Sequence, residues 1–232
     1  MSSFLIKDIL TFYQDAGLDY SILETPAILT QPILKKEVKP VCATDNINNL
    51  ADLNKFMANL TNFSLKRTAQ NDCFGTGIIN AKLMVIGPPP DREEDKNGTI
   101  FAGIAGQLLD KMLLSINETR ETIYLTHIIP WRPPGNRAPT TIEIEKCRPW
   151  IEKQIELVAP KVILAMGGLA TQILLKNNVF LTIRGKWQEY QTTNGQTCLL
   201  MPSFSPSDLL KMPSQKKYAW HDLLEVKQKI KF

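Results

Sequence analysis

The sequence predicts an α/β fold built on a parallel sheet that helices cover on both faces. From Lys82 onward, short apolar runs alternate with longer segments of helical period. The runs Leu83 to Ile86 and Val162 to Ala165 have the length of buried strands. Strands and helices that alternate at these lengths predict right-handed βαβ units, whose parallel strands lie between two helical layers.

The composition is that of an ordinary folded chain. The 232 residues are 44% hydrophobic and 22% charged, which excludes a disordered polyelectrolyte. The 27 Lys and Arg residues exceed the 23 Asp and Glu residues by a formal charge of +4, which is too small to indicate an anionic partner by itself. The charge is therefore informative only where it clusters.

The elements follow in order along the chain. Helical spacing predicts an amphipathic helix over residues 4–17, a proline- and lysine-containing linker over 25–40, and a helix over 46–60. We therefore divide the chain into an N-terminal helical segment with linker, residues 1–60, and a main domain, residues 61–232. After an irregular segment to Asn80, the predicted main-domain elements are strands at 83–86, 123–129, 162–165, 187–191 and 198–201, and helices at 106–116, 142–158, 168–175 and 214–230.

Cysteine use and hydropathy indicate a reducing compartment. Cys42, Cys73, Cys147 and Cys198 form no Cys-x-x-Cys pair, so isolated buried thiols are expected. The start of the chain lacks the pattern of an export signal, and the most apolar run, 162–175, is too short for a membrane helix. We expect a cytoplasmic protein without a membrane partner.

The segment between the first strand and the next helix is one candidate site. Glycines around Phe101 could bring free backbone N–H groups to a phosphate or base, with the Phe101 ring available for stacking. Glu94 or Asp95 could serve there as a base. The alternative is a surface loop whose acidic run is merely solvated.

Two further segments lie beyond predicted strand ends, where open α/β sheets bind ligands. The loop from Trp131 to Arg137 carries two arginines in a proline-stiffened backbone, which suits phosphate contacts or a structural turn with solvated arginines. Ser205 followed by Pro206 is typical of a helix start and needs no chemistry. His127 ends a predicted strand beside this cleft, whereas His221 is expected on a helix surface.

Taken together, these segments resemble the family-four branch of the uracil-DNA glycosylase superfamily. The branch pattern Gly-Glu-x-Pro-Gly, Glu-Asp and Gly-x-Pro-Phe-Val-Gly is matched by 87–91, 94–95 and 98–103. Its Arg-Pro-Pro-Gly-Asn-Arg-x-Pro-Thr block is matched from Arg132 to Thr140, and the similarity covers about Phe63 to Ile230. The resemblance implies a three-layer α/β/α fold with a parallel four-stranded central sheet, and a pocket for a uracil flipped out of DNA.

The resemblance also implies roles that this sequence fills incompletely. In the family a first-motif acid activates water, an aromatic ring stacks on the base, an Asn reads it, and a late His stabilises the departing anion. Here Pro88 replaces the acid, His127 the Asn and Ser205 the His, while Phe101 retains the aromatic ring. The candidate catalytic residues are therefore Glu94, Asp95, His127 and Ser205, the base-binding residues Gly87, Phe101 and His127, and the DNA-binding residues Arg132, Gly135, Asn136, Arg137, Ser207 and Lys211.

Family members usually carry an iron-sulphur cluster on four cysteines. Only Cys147 matches a ligand here, because Trp131 stands at another ligand position and the early pair is missing near Phe63. We therefore predict no iron-sulphur cluster, no other cofactor and no metal.

Three functions follow as hypotheses. The first is a DNA-binding protein with impaired excision, monomeric and associated with a bacterial nucleoid, that takes single- or double-stranded DNA. The second is an active, metal-free glycosylase that removes uracil or another deaminated base with Glu94 or Asp95 as base. The third is an interaction scaffold whose residues 1–60 dock an unknown protein partner.

Overall fold

A computed structural model describes residues 47–176 and 179–231 of the chain. The predicted helix at residues 4–17, the linker at 25–40 and Cys42 lie outside the described residues. The main domain has the predicted three-layer α/β/α architecture, and the family fold is confirmed. Its sheet differs from the expected four strands because two short antiparallel strands extend the parallel centre at its edges.

The described part of the chain forms a six-stranded sheet with the order β1-β3-β2-β4-β6-β5. The central pairs β2/β3, β2/β4 and β4/β6 are parallel, and β1 and β5 pair antiparallel with their neighbours. The strands are β1 Thr76–Gly77, β2 Leu83–Gly87, β3 Tyr124–His127, β4 Val162–Met166, β5 Gln188–Gln191 and β6 Thr197–Ser203.

Helices cover both faces of this sheet. The first layer contains α1, α5 and α6, and the second contains α4, α8 and α9. None of the described helices is long and apolar enough to cross a membrane. The helices are α1 Leu50–Ala58, α2 Ser64–Thr68, α3 Arg92–Asn97, α4 Gly103–Ser115, α5 Thr141–Val158, α6 Gly168–Leu175, α7 Phe180–Ile183, α8 Pro206–Lys211 and α9 Lys216–Lys231.

The period of two along β2 explains why both faces need a helical layer. Met84 and Ile86 point into the core under α1, α5 and α6, while Leu83 and Val85 point into the core under α4, α8 and α9. All four side chains are buried. The continuous apolar run is therefore that of a strand in the centre of a two-faced sheet.

The predicted irregular segment before Asn80 contains two elements that the sequence pattern did not indicate. These are the single-turn helix α2 and the two-residue strand β1. A side chain at Gly77 would place a Cβ 2.0 Å from the carbonyl oxygen of Ile123, so β1 depends on close backbone approach to its neighbour. Such a short strand is specified by its partner and not by its own periodicity.

The loop after β2 also contains a helix, α3. Asp91 is its N-cap, and the side chains of Asp91 and Glu94 bond reciprocally to each other's backbone N–H in a capping box. Glu94 and Asp95 therefore lie on a helix and not in an open loop. The last helix begins at Lys216, after a 3-10 turn at 213–215, two residues later than predicted.

Candidate functional site

A groove of about 350 Å³ opens beyond the carboxyl ends of the four parallel strands. The chain leaves β2 toward β3 on one side and leaves β4 toward β6 on the other, so the ends of β2 and β4 form a topological switch point. Segments that follow β2, β3, β4 and β6 all contribute walls. The lining residues are Pro88–Asp91, Pro133, Asn136–Pro139, Gly167–Leu169, Ser205, Ser207, Asp208 and Lys211.

The loop from Trp131 to Arg137, here called the arginine loop, forms one wall of this groove. Gly135 and Asn136 adopt left-handed φ angles of 65° and 56° in a 3-10 turn, and Gly135 is exposed at the tip. Arg132 donates from Nε to Oδ1 of Asn136 at 2.5 Å, which fixes the turn from within. The loop therefore has a defined conformation, and it carries four of the predicted DNA-binding residues, which are Arg132, Gly135, Asn136 and Arg137.

The guanidinium of Arg137 is paired in the structure. It donates to both carboxylate oxygens of Glu143, at 2.8 and 2.7 Å, and this carboxylate also closes the capping box at the start of α5 with Thr140. The Arg137 hydrogen bonds hold the pKa of Glu143 down at about 2, against an ordinary 4.5, despite partial burial. Arg137 keeps 43% of its side chain exposed, so a phosphate can still approach it.

The opposite wall is the short helix α8. Ser207 and Lys211 line the groove from this helix, facing Asn136 and Arg137 across the opening. The two walls thus bring together four of the six predicted DNA-binding residues. Arg132 and Gly135 belong to the same loop without lining the groove.

Glu94, Phe101 and His127 form a compact cluster at the ends of β2 and β3. The structure brings the predicted base-binding residues together, because the Phe101 ring lies over Gly87, where a Cβ would meet it at 2.5 Å, and 5.1 Å from the His127 ring. Glu94, Phe101 and His127 are between 2% and 6% exposed, and none of them lines the groove.

The polar side-chain atoms of this cluster are hydrogen-bonded except for Nε2 of His127. Nδ1 of His127 lies 2.5 Å from the carbonyl oxygen of Pro88, to which it must donate because a carbonyl only accepts. Its Nε2 lies 3.2 Å from Oε1 of Glu94 without forming a hydrogen bond, and this contact is an ion pair only when the imidazole is protonated. Oε1 and Oε2 of Glu94 accept from the backbone N–H groups of Phe101 and Asp91, each at 2.7 Å.

These contacts set the charge of Glu94. Burial raises the pKa of this carboxyl, but the imidazole of His127 and the two backbone N–H groups lower the pKa by more. The net pKa lies below its ordinary 4.5, so Glu94 is ionised at neutral pH. A carboxylate that is ionised but already bonded at both oxygens holds structure together more readily than it activates water.

Asp95 has a structural position. Its Oδ1 accepts from the backbone N–H groups of Gln70 and Asn71, at 2.7 and 3.3 Å, and its Oδ2 lies 3.7 Å from Nη1 of Arg132. Asp95 is buried and does not line the groove. Asp95 therefore connects the segment after α2 to α3 by hydrogen bonds, and it contacts Arg132 of the arginine loop.

Ser205 lines the groove, but its hydroxyl is committed to the helix cap. It donates to Oδ2 of Asp208 at 2.7 Å and accepts from the Asp208 backbone N–H at 3.1 Å. The predicted start of a helix at Ser205 and Pro206 is confirmed. His221 lies on the exposed surface of α9, as expected.

Two carboxylates of the groove did not figure among the predicted site residues. Asp91 and Asp208 are both N-terminal residues of short helices, and one oxygen of each bonds to backbone N–H groups or the cap. The capping pattern Asp91-x-x-Glu94 is visible in the sequence. That these acids face the same groove depends on the positions of the strand ends and could not be read from spacing.

The described residues do not fit an iron-sulphur cluster. The family resemblance places ligands near Phe63 and at Trp131, and these two rings pack with Trp150 into an aromatic cluster with ring centroids 4.9 to 5.4 Å apart. Nε1 of Trp131 donates to Asp72 at 2.6 Å. Among the described residues no three His, Cys, Asp or Glu side chains lie close enough together to hold a metal ion.

The remaining described thiols are separate and buried. Cys73, Cys147 and Cys198 are buried and form no disulfide among the described residues, which confirms buried thiols for three of the four cysteines. Burial raises the pKa of Cys73 to about 12 and that of Cys198 to about 11, so neither supplies a thiolate at neutral pH.

Comparison with known proteins identifies the family that this groove and fold define. The sequence profile of the uracil DNA glycosylase superfamily matches residues 74–224. The type-4 uracil-DNA glycosylase of Archaeoglobus fulgidus is 31% identical over 176 residues, which cover 74% of this chain and 88% of that protein. The type-4 enzymes of Saccharolobus solfataricus and Thermotoga maritima are 32% and 31% identical, over 79% and 72% of this chain and 86% of each relative. The chain therefore belongs to the uracil-DNA glycosylase superfamily, in its family-four-like branch.

Proposed function

We propose that this chain is a DNA-binding protein of the uracil-DNA glycosylase family in which base excision is impaired. The observation that carries the proposal is the separation of two sets of residues. Four of the predicted DNA-binding residues line the open groove, whereas Glu94, Phe101 and His127 are buried and do not line it. Both carboxylate oxygens of Glu94 and Nδ1 of His127 are hydrogen-bonded, and Nε2 of His127 is buried without a hydrogen-bond partner.

The chemistry of excision explains why this separation matters. Breaking an N-glycosidic bond develops positive charge on the sugar and negative charge on the base, so a carboxylate and a hydrogen-bond donor must face the scissile bond. Pro88 supplies neither a carboxylate nor a backbone N–H. Nδ1 of His127 donates to Pro88 and the hydroxyl of Ser205 donates to Asp208, while Nε2 of His127 lies against Glu94 and His127 does not line the groove.

The expected loss of rate is large. Removing a general base costs about 10² to 10⁴ in rate. Removing one donor to the developing anion costs about 10² to 10³. The product of these factors is an upper bound, because residues that act as a unit are not additive.

DNA binding is supported by what the groove retains. Arg137 and Lys211 offer positive charge from opposite walls, and Asn136 and Ser207 offer neutral polar side chains. Contacts of this kind recognise phosphates and carry little sequence information. The curated relatives are named as uracil-DNA glycosylases, which supports DNA as the ligand of this groove. The predicted binding is salt-dependent and tolerant of sequence.

An active glycosylase is the second candidate, and the pair formed by Glu94 and His127 is the observation that favours it. An ionised carboxylate and an imidazole lie 3.2 Å apart at the ends of neighbouring strands. To act as base and donor in the groove, these two groups require a rearrangement that opens the contact between His127 and Pro88 and also the backbone hydrogen bonds of Glu94.

One assay separates the two functions. Protein in excess is incubated with labelled single- and double-stranded oligonucleotides that contain uracil, hypoxanthine or xanthine, and alkali then cleaves any abasic site. We expect no cleavage above the buffer control, together with binding by fluorescence anisotropy that weakens as salt rises. Cleavage that disappears in Glu94→Gln would establish the active enzyme instead. Absence of binding to every oligonucleotide at low salt would contradict both functions.

A further inference from the structure

A second groove, on a different surface, lies between α4, α8 and α9. It has a volume of about 250 Å³. It does not share lining residues with the groove at the strand ends. Its lining residues are Leu108, Lys111, Met112, Ser115, Leu209, Lys216, Ala219, Trp220 and Leu223.

The floor of this groove is apolar. Met112, Leu209 and Leu223 are buried parts of the core, and Leu108 is half-buried above them. Trp220 stands at the edge with 45% of its surface exposed. On the same face of α4, one turn before Leu108, Ile104 is 71% exposed and continues the apolar surface. A contiguous apolar surface with an exposed Trp is typical of a binding site.

The charge at the rim has one sign. Lys111 and Lys216 line the groove from α4 and α9, and neither forms an ion pair among the described residues. Lys227 donates to the backbone carbonyl of Ser115 at one end. No Asp or Glu is among the lining residues, and the nearby carboxylate of Asp110 is paired with Arg120 at 2.6 Å.

We propose that this groove docks an acidic peptide segment of a partner protein, with one large apolar side chain inserted between Leu108 and Trp220. Burial of that side chain supplies the affinity, because removing apolar surface from water lowers the free energy of binding. Trp is also enriched among the hot spots of protein interfaces. The flanking carboxylates meet Lys111 and Lys216, which set the orientation of the segment and increase its rate of association.

Two other occupants suit the groove less well. A nucleic acid would gain from the lysines and from one stacking ring, but the Leu and Met floor offers nothing to phosphates. A symmetric contact with a second copy would bring each lysine rim against an equivalent lysine rim, since a two-fold interface pairs a surface with itself. Compared with an acidic peptide, the nucleic acid would gain less from the apolar floor, and the second copy would suffer repulsion between lysines.

The short helix α8 connects the two grooves. Leu209 lines the peptide groove, while Ser207, Asp208 and Lys211 of the same helix line the groove at the strand ends. A docked partner would therefore lie about one helix diameter, ~10 Å, from the proposed DNA surface. The proposal itself concerns a separate surface and does not depend on whether the chain excises bases.

The test uses the full chain and a labelled synthetic peptide of twelve residues in which Asp and Glu flank a Phe-Leu pair. Two control peptides replace the Phe-Leu pair by Ser-Ser, or all acidic residues by Gln. We expect saturable binding of the acidic Phe-Leu peptide by fluorescence anisotropy. The affinity of each control peptide should be lower by about tenfold or more.

Variants of the protein place the peptide on this surface. Trp220→Ser and the double variant Lys111→Glu with Lys216→Glu should each weaken binding about tenfold or more. Matched controls are Leu114→Ser on α4 and Lys229→Glu on α9, which are exposed and do not line the groove; both should bind like the parent. Because all the substituted side chains are exposed, we expect every variant to keep the fold of the parent. Thermal unfolding of each variant checks this expectation.

Three outcomes would overturn the proposal. The first is no binding of the acidic Phe-Leu peptide at millimolar concentration. The second is equal binding by the groove variants and their controls. The third is an oligothymidine that competes for this surface and loses affinity in Trp220→Ser, since the occupant would then be nucleic acid.

Discussion

Nδ1 of His127 lies 2.5 Å from the carbonyl oxygen of Pro88, so two positions that depart from the family pattern bond to each other. His127 ends β3, and Pro88 follows β2. Their contact spends the donor of one altered position on the backbone of the other. The acceptor is a backbone carbonyl, which any residue at position 88 would offer, so this hydrogen bond depends on His127 and not on the proline ring.

Restoring the three family residues should restore excision. The triple variant Pro88→Glu, His127→Asn and Ser205→His regains the carboxylate, a backbone N–H and the late donor. We expect single-turnover cleavage of uracil-containing DNA to rise by about 10² or more. Ser205→His alone should give little activity and should cost about 1 kcal/mol of stability, because it removes the N-cap of α8. A triple variant that folds and binds DNA but remains inert would show that another feature blocks catalysis.

Glu94 should prove important for stability. Glu94→Gln replaces one of the two oxygens that accept the backbone N–H groups of Asp91 and Phe101 by an NH₂ donor. We expect a loss of about 1 to 3 kcal/mol in the free energy of unfolding, measured in urea. The matched control is Glu93→Gln, an exposed neighbour on the same helix, which should change stability by less than about 0.5 kcal/mol. Equal effects would contradict the assigned role.

Stability should fall in acid because of Glu143. Its pKa in the folded protein, about 2, lies below the ordinary 4.5, so the ionised form is stabilised by folding. That stabilisation is complete above pH 4.5 and is lost as the pH falls toward 2. Urea unfolding at a series of pH values should show a shallower decline in Glu143→Gln than in the parent. Glu145→Gln, exposed on the same helix, should leave the pH profile unchanged.

Lys211 and Arg137 should contribute charge to DNA binding from opposite walls. Lys211→Ala and Arg137→Ala should each weaken binding to all sequences alike and reduce the slope of log affinity against log salt by about 1. Lys229→Ala removes the same charge from an exposed position outside the groove and serves as control. A slope that falls equally in the control would indicate a diffuse charge effect and not contacts in the groove.

The aromatic cluster should replace a metal cluster as a source of stability. Trp131 is fully buried, so Trp131→Ala should cost about 3 to 5 kcal/mol in the free energy of unfolding. Trp220→Ala, at a 45% exposed position, should cost far less. After incubation of the parent with ferrous iron and sulphide under anaerobic conditions, we expect no bound iron and no visible absorption band. Stoichiometric iron that depends on Cys147 would contradict the prediction.

The sequence alone determined the alternation of strands and helices, the family and the makeup of the arginine loop. These properties depend on local periodicity and on contiguous motifs, such as Ser205 followed by Pro206 or the block from Arg132 to Thr140. The helix α3 was also within reach of local reasoning, through the capping pattern that begins at Asp91.

Only the tertiary structure decided which candidate residues reach the groove. Glu94 and Ser205 look equally available in the sequence and both are buried, yet Ser205 lines the groove and Glu94 does not. The hydrogen bond between His127 and Pro88 connects residues 39 positions apart in the sequence. The apolar groove is lined by residues of α4 and α9, which are also far apart in the sequence. Burial and hydrogen-bond saturation arise from contacts between distant segments, which no local pattern encodes.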